Sequence, residues 1–247
     1  MAADHTVTLA IVTNGGDEIG LACCCSLLQL QMHAARRTGL LLNIHIVPTF
    51  LEGLQSYVHG DTLVVMDSMC GVPAEFVFGA VERGVAGHDD VLAGVYPLPS
   101  VNWERVGAVL ADPDATEPVA HAGNTYNVAP QPGGALRRYA PVMVQAVREL
   151  RVLAVPSRVL AAMASPDISY TAAAPDGGTT TTKITKHLFA YESVFEDAYA
   201  NAYQTFVRRL PRGTGVLADL EAPCVLAAPA QFAGCVGMRH MAGAAIR

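Results

Sequence analysis

The stretch Asp61-Thr62-Leu63-Val64-Val65-Met66-Asp67-Ser68-Met69 constrains the fold of this 247-residue chain more tightly than any other. Its apolar residues, Leu63 to Met66, follow one another without alternation and stop abruptly at an aspartate. A short unbroken apolar run of this kind suits a strand covered on both faces, the situation inside a parallel sheet. In open α/β sheets ligands settle beyond the carboxyl ends of the strands, which puts Asp67 on the rim where chemistry takes place.

The neighbouring pieces extend that reading. Val7 to Thr13 predicts a first strand, and Asn14-Gly15-Gly16-Asp17 a turn with a candidate N-cap, Glu18 adding negative charge to the first turn of a helix. That helix runs from about Ile19 to Arg37, with Leu21, Cys24, Leu27, Leu28 and Met32 on one stripe and Gly39 as its stop. Leu40 to Val47 predicts a second strand, Leu51 to Val58 a short helix, Ala74 to Arg83 another helix stopped by Gly84, and Asp90 to Tyr96 a buried strand closed by Pro97. Successive β-α units imply a mostly parallel central sheet with helices on both faces.

The second half is irregular. Ala111 to Arg138 is rich in Asp, Pro, Gly and Asn and reads as a long excursion with short strands at best. Pro141 to Val155 holds two short strands, and Pro156 opens a short helix ending near Met163. Ala172 to Thr182 is low in complexity and predicts a flexible surface loop. Ser193 and Glu196 form a capping box for a helix from Val194 to Leu210, whose apolar face is Phe195, Ala198, Tyr199, Ala202, Tyr203 and Phe206. Gly215 to Leu220 and Cys224 to Ala228 are the last strands. The whole, residues 1–247, reads as one α/β domain, with 1–106 as a nucleotide-binding-type half and 107–247 as an acceptor-type half.

Composition sets the outer limits. With 51% hydrophobic and 15% charged residues the chain can bury a large core. A net charge of −6 and scattered basic pairs argue against nucleic acid as a partner, because phosphate binding needs concentrated Lys and Arg. No apolar run reaches about 18 residues, so no membrane span is expected. The amino terminus shows no basic and apolar leader, and a cytoplasmic protein is expected. The six cysteines lack C-x-x-C spacing; Cys23, Cys24 and Cys25 are consecutive and cannot together clamp one metal, so all six read as free thiols in a reducing compartment.

Four stretches carry a resemblance: Ser26-Leu27-Leu28 with Leu30, Leu63 to Ser68, Val91 to Pro97 followed by Val101 to Val106, and Glu196-Asp197-Ala198-Tyr199. In this order they resemble the GT-A glycosyltransferases found in large DNA viruses and their bacterial relatives. The resemblance implies a GT-A-like fold, a nucleotide-sugar donor, a glycan or protein acceptor, and a location in host cytoplasm or virion. It implies donor binding by Thr13, Asn14, Asp67, Ser68 and Tyr96, with Asp197, assisted by Glu196, as the base that deprotonates the acceptor hydroxyl. The family's Asp-x-Asp pair holds Mn2+ or Mg2+ against the diphosphate; here Asp67 is the metal candidate and Met69 stands where the second carboxylate belongs. The family's Arg-Asn pair ahead of this strand is also missing from Phe50 to Gln55. A catalytically degenerate scaffold with a binding or virion role is therefore the competing expectation. An unrelated nucleotide-binding enzyme is weaker, because Asn14-Gly15-Gly16-Asp17 matches neither a dinucleotide fingerprint nor a P-loop.

Overall fold

The computed structural model describes residues 5–16, 18–37, 39–130, 142–146, 150–163, 168–173, 179–184, 206 and 210–226. The first part contains β1 (His5–Val12), α1 (Leu21–Arg36), β2 (Leu40–Val47) and α2 (Phe50–Gln55), which passes into a 3-10 turn (Ser56–His59). There follow β3 (Thr62–Asp67), β4 (Cys70–Gly71), α3 (Ala74–Val85), β5 (Val91–Ala93), β6 (Pro97–Val101) and α4 (Trp103–Ala111). Next come α5 (Val119–Ala122), β7 (Asn124–Tyr126), β8 (Val128–Pro130), β9 (Val142–Ala146), β10 (Val152–Pro156) and α6 (Ser157–Met163). The last described elements are β11 (Ile168–Ala173), β12 (Thr179–Ile184), β13 (Val216–Ala218) and β14 (Val225–Leu226).

The fold is α/β, built on a sheet in the order β2-β1-β3-β10-β5-β13-β9-β8. The expectation of a mostly parallel sheet is corrected: β1–β2, β1–β3 and β5–β13 are parallel, whereas β10 opposes both β3 and β5, and β9 opposes β13 and β8. Antiparallel β10 lies between β3 and β5, and every one of its five residues is buried. A strand apolar on both faces carries no mark of direction, so the alternation of β and α units could not reveal this reversal.

Helices cover both faces. Val7, Leu9 and Ile11 of β1 and Val64 and Met66 of β3 belong to one core, with Cys23 and Leu30 of α1 and Phe76 and Val77 of α3. Ala10, Val12, Leu63 and Val65 face the other way, toward Phe50 and Leu54 of α2, Val159 and Leu160 of α6, and Phe206. Each fully buried side chain of this size contributes roughly 1.5–3 kcal/mol relative to exposure, which fits the unbroken apolar run Leu63 to Met66 of β3.

Several local expectations are revised. The N-cap of α1 is Gly20, without a side-chain bond, and no acidic residue occupies the first turn. Its buried residues are Cys23, Ser26 and Leu30, while Leu21, Leu28 and Met32 of the anticipated stripe are exposed. Gly84 does not stop α3, which runs on to Val85; Gly84 is buried, and a Cβ there would lie 3.3 Å from Thr62 Oγ1. Pro97 opens β6 instead of closing the preceding strand, a position where the missing N–H is tolerated. Ala172, Ala173 and Thr179 to Thr182 lie in the β11–β12 ladder, not in a loop, as the β-branched threonines favour. The anticipated helix from Val194 to Leu210 falls outside the described residues except for its end and Phe206, which is buried edge-on against Phe50 at 6.2 Å between ring centroids. No helix among the described residues is long and apolar enough to cross a membrane.

Candidate functional site

From β1 the chain crosses by α1 to β2 on one side, then returns by α2 to β3 on the other side of β1. Strand order thus reverses between β1 and β3, and the crevice at such a reversal, outside the carboxyl ends, is where open α/β sheets receive ligands. Thr13 and Asn14 follow β1 there, Asp67 ends β3 and Ser68 follows it.

The backbone fixes this corner. Thr13 N–H donates to Val47 O at 2.9 Å, Ser68 N–H to Val12 O at 2.9 Å, and Gly20 N–H to Ser68 O at 2.8 Å. Asn14 has φ 54° and Gly15 φ 79°. Asn tolerates the left-handed region because its side chain can bond locally, and glycine enters it without a Cβ penalty. The turn closes with Gly16 N–H donating to Thr13 O at 3.0 Å.

Asp67 is 3% exposed, yet its carboxylate is well satisfied. Oδ1 accepts the Met69 N–H at 2.8 Å, and Oδ2 accepts Asn14 Nδ2–H at 2.9 Å. Arg151 Nη1 lies 3.6 Å from the same Oδ2. Burying a carboxylate is tolerable only with such partners, and each bond to a charged group contributes about 1.5–3 kcal/mol.

Arg151 immediately precedes β10 and is attached through both its backbone and its side chain. Its carbonyl accepts the Asp67 N–H at 2.8 Å, its own N–H donates to Tyr96 Oη at 3.1 Å, and its guanidinium pairs with Asp67. Tyr96 is buried, beyond the end of β5. Asn127, fully buried, holds that segment by accepting Tyr96 N–H at 3.0 Å and donating to Gly94 O at 2.9 Å. Its amide replaces a strand partner where the ladder of β5 ends.

Of the anticipated donor-binding residues, Thr13, Asn14, Asp67 and Ser68 share the crevice, and Tyr96 joins them through Arg151. Glu196 and Asp197 lie outside the described residues. Trp103, part of the stretch carrying the resemblance, opens α4 and is 74% exposed. Sequence reasoning missed Arg151 and Asn127. Neither was legible: Arg151 closes the mixed stretch Arg148-Glu149-Leu150-Arg151, and Asn127 sits amid Thr-Tyr-Asn-Val.

Two thiols record the same electrostatics. Cys23 is pushed up to about 11, first by burial, then by Cys24 and Asp67. Cys70 is raised well above its ordinary range by burial and by Asp67, with Arg151 opposing. Both stay protonated near neutrality and act as small apolar groups.

A divalent ion fits this donor set poorly. Mg2+ and Mn2+ need several hard oxygens, but both Asp67 oxygens already accept protein hydrogens and Met69 contributes only a soft thioether. Among the described residues no three His, Cys, Asp or Glu side chains cluster to hold a metal.

The class defined by fold and crevice is an α/β protein with a polar site at the reversal of its sheet. No family model and no curated protein sequence matches the chain.

Proposed function

We propose that the chain is a GT-A-like glycosyltransferase that binds a nucleotide-sugar donor over the carboxyl ends of β1 and β3. The observation that carries this reading is the convergence of Asn14, Asp67 and Arg151 at the strand-order reversal. The resemblance supplies the nature of the ligand. In the reaction, the bond from sugar C1 to the diphosphate oxygen breaks, its electron pair leaving with the nucleoside diphosphate. A bond forms from C1 to the acceptor oxygen, and the acceptor proton passes to a carboxylate base, the role proposed for Asp197 with Glu196 beside it.

One observation favours a second reading, a degenerate scaffold with a binding or structural role: each oxygen of the Asp67 carboxylate already accepts a hydrogen bond from its own chain. Incubation with UDP-, GDP- and CMP-sugars and a glycan acceptor panel separates the two. Release of nucleotide that is abolished by Asp197→Asn, with donor binding intact, supports the transferase. Binding without release in the native chain supports the second reading, and absence of both ends the first.

A further inference from the structure

The lost carboxylate and the arginine beside the one that remains suggest how such a site could work, given the nucleotide-sugar reading. We propose that the Arg151 guanidinium supplies the positive charge against the donor diphosphate, and that donor binding needs no divalent metal. Asp67 then acts as a positioning residue: it orients the guanidinium and fixes the Asn14 turn, and it holds no ion.

Four features of the crevice support this. Among the described residues, Arg151 is the cation paired with Asp67, whose carboxylate also accepts from Asn14 and Met69 at this rim. Its side chain is 36% exposed while that of Asp67 is 4% exposed, so the guanidinium is the more solvent-exposed end of the ion pair. The backbone of Arg151 is anchored on both sides, to Asp67 and to Tyr96 Oη, which limits the wandering of a long side chain. Finally, β10 runs antiparallel to β3, with Val152 opposite Met66. Only a strand of that direction can bring the residue before its first position to the rim where the parallel strands end.

The chemistry is suitable. A planar guanidinium binds phosphate oxygens in a forked geometry and keeps its charge at any relevant pH. As the C1–oxygen bond breaks, negative charge grows on the departing diphosphate, and a fixed cation there lowers the barrier without a proton changing hands. A metal would have to compete with the Asn14 and Met69 hydrogen bonds to the two Asp67 oxygens and with the positive charge of Arg151 3.6 Å away.

Titration calorimetry on the intact chain with UDP, GDP, ADP and CDP, each in EDTA and in MnCl2, tests the proposal. The expected result is that one of these binds in EDTA and that Mn2+ changes its Kd by less than about threefold. Arg151→Gln should weaken binding at least about tenfold, the loss of one charge-assisted contact, with Arg151→Lys in between. Asp67→Asn, which gives up the ion pair that orients the guanidinium, should weaken binding in EDTA by a smaller factor than Arg151→Gln does. Circular dichroism and melting of each variant show that the fold persists. Binding seen only with Mn2+ and lost in Asp67→Asn would overturn metal independence while leaving the nucleotide-sugar reading intact. Binding in EDTA that Arg151→Gln and Arg151→Lys do not weaken would overturn the role of Arg151. If no nucleoside diphosphate binds the folded native chain under either condition, the nucleotide-sugar reading itself fails.

Discussion

β3 and β10 lie side by side, both wholly buried, yet they reach the middle of the sheet in different ways. β3 arrives by short steps: β1, α1, β2, α2 and β3 follow one another, each helix crossing to a strand that neighbours or flanks the last. β10 arrives after α4, α5 and four short strands, and enters the opposite way between β3 and β5. Its ladder to β3 pairs Val152 with Met66 through to Pro156 with Thr62. The first region is a scaffold whose strands all present carboxyl ends to one rim. The second contributes the start of a strand to that rim, and with it a residue of the opposite charge. Among the described residues, the counter-ion of Asp67 comes from this second region.

The largest test of this comparison is whether β10 is as much a part of the core as β1. Leu9 and Leu153 are both fully buried. Leu9→Ala and Leu153→Ala should each cost about 2–5 kcal/mol in urea denaturation, the transfer loss plus a cavity. A cost below about 1 kcal/mol for Leu153→Ala, with the normal cost for Leu9→Ala, would remove β10 from the centre and with it the placement of Arg151.

How much of this was legible follows from the same contrast. The strand ending at Asp67 could be read because its apolar run has a polar end that marks a direction. The turn at Asn14-Gly15 could be read because few residues accept positive φ. The order of β10 and β5 could not, since nothing in Val-Leu-Ala-Val-Pro says which neighbour it takes or which way it runs. Close approach decides it: at Gly94 a Cβ would sit 2.6 Å from Val152 Cβ and 2.7 Å from Cys224 Sγ, a contact between three distant stretches. The face of α1 was misread for a related reason. Leu-Ala-Cys-Cys-Cys-Ser-Leu-Leu-Gln-Leu is apolar in several directions at once, and a polar group chooses among them. Ser26 Oγ accepts the Val72 N–H at 2.8 Å and donates to Ala22 O at 2.9 Å, so Ser26 faces inward and turns Cys23 and Leu30 with it.

A smaller effect probes the charge pattern shared by the two regions. Cys23 has a folded-state value of about 11 against an ordinary 9.0, and Cys70 is raised as well. In the window between those values the native chain holds protons that the unfolded chain releases, so stability is undiminished below about pH 9 and falls as pH rises toward about 11. For Cys23 the fall is of order 2 kcal/mol, read from chemical denaturation across that range under reducing conditions. Cys23→Ala should flatten the slope. An unchanged slope would show that Cys23 is not desolvated as described.

The smallest effect falls on the surface of α1 and sharpens the same lesson about what a helix face obeys. Leu28 is 63% exposed, whereas Leu30, two positions on, is 1% exposed and packs in the core with Val7, Leu9 and Phe76. Two residues of one type on one helix therefore differ only in direction, about 200° apart by helix geometry. Leu30→Ala should cost about 2–5 kcal/mol, while Leu28→Ala should stay within about 0.5 kcal/mol, since it opens no cavity and Ala is the better helix former. Had the sequence stripe through Leu21, Leu28 and Met32 been the packed one, the two values would be reversed. A loss above about 1 kcal/mol for Leu28→Ala in the isolated chain at low concentration would mean that this face is covered by the chain itself, and the assignment of the core to Cys23, Ser26 and Leu30 would have to be redrawn.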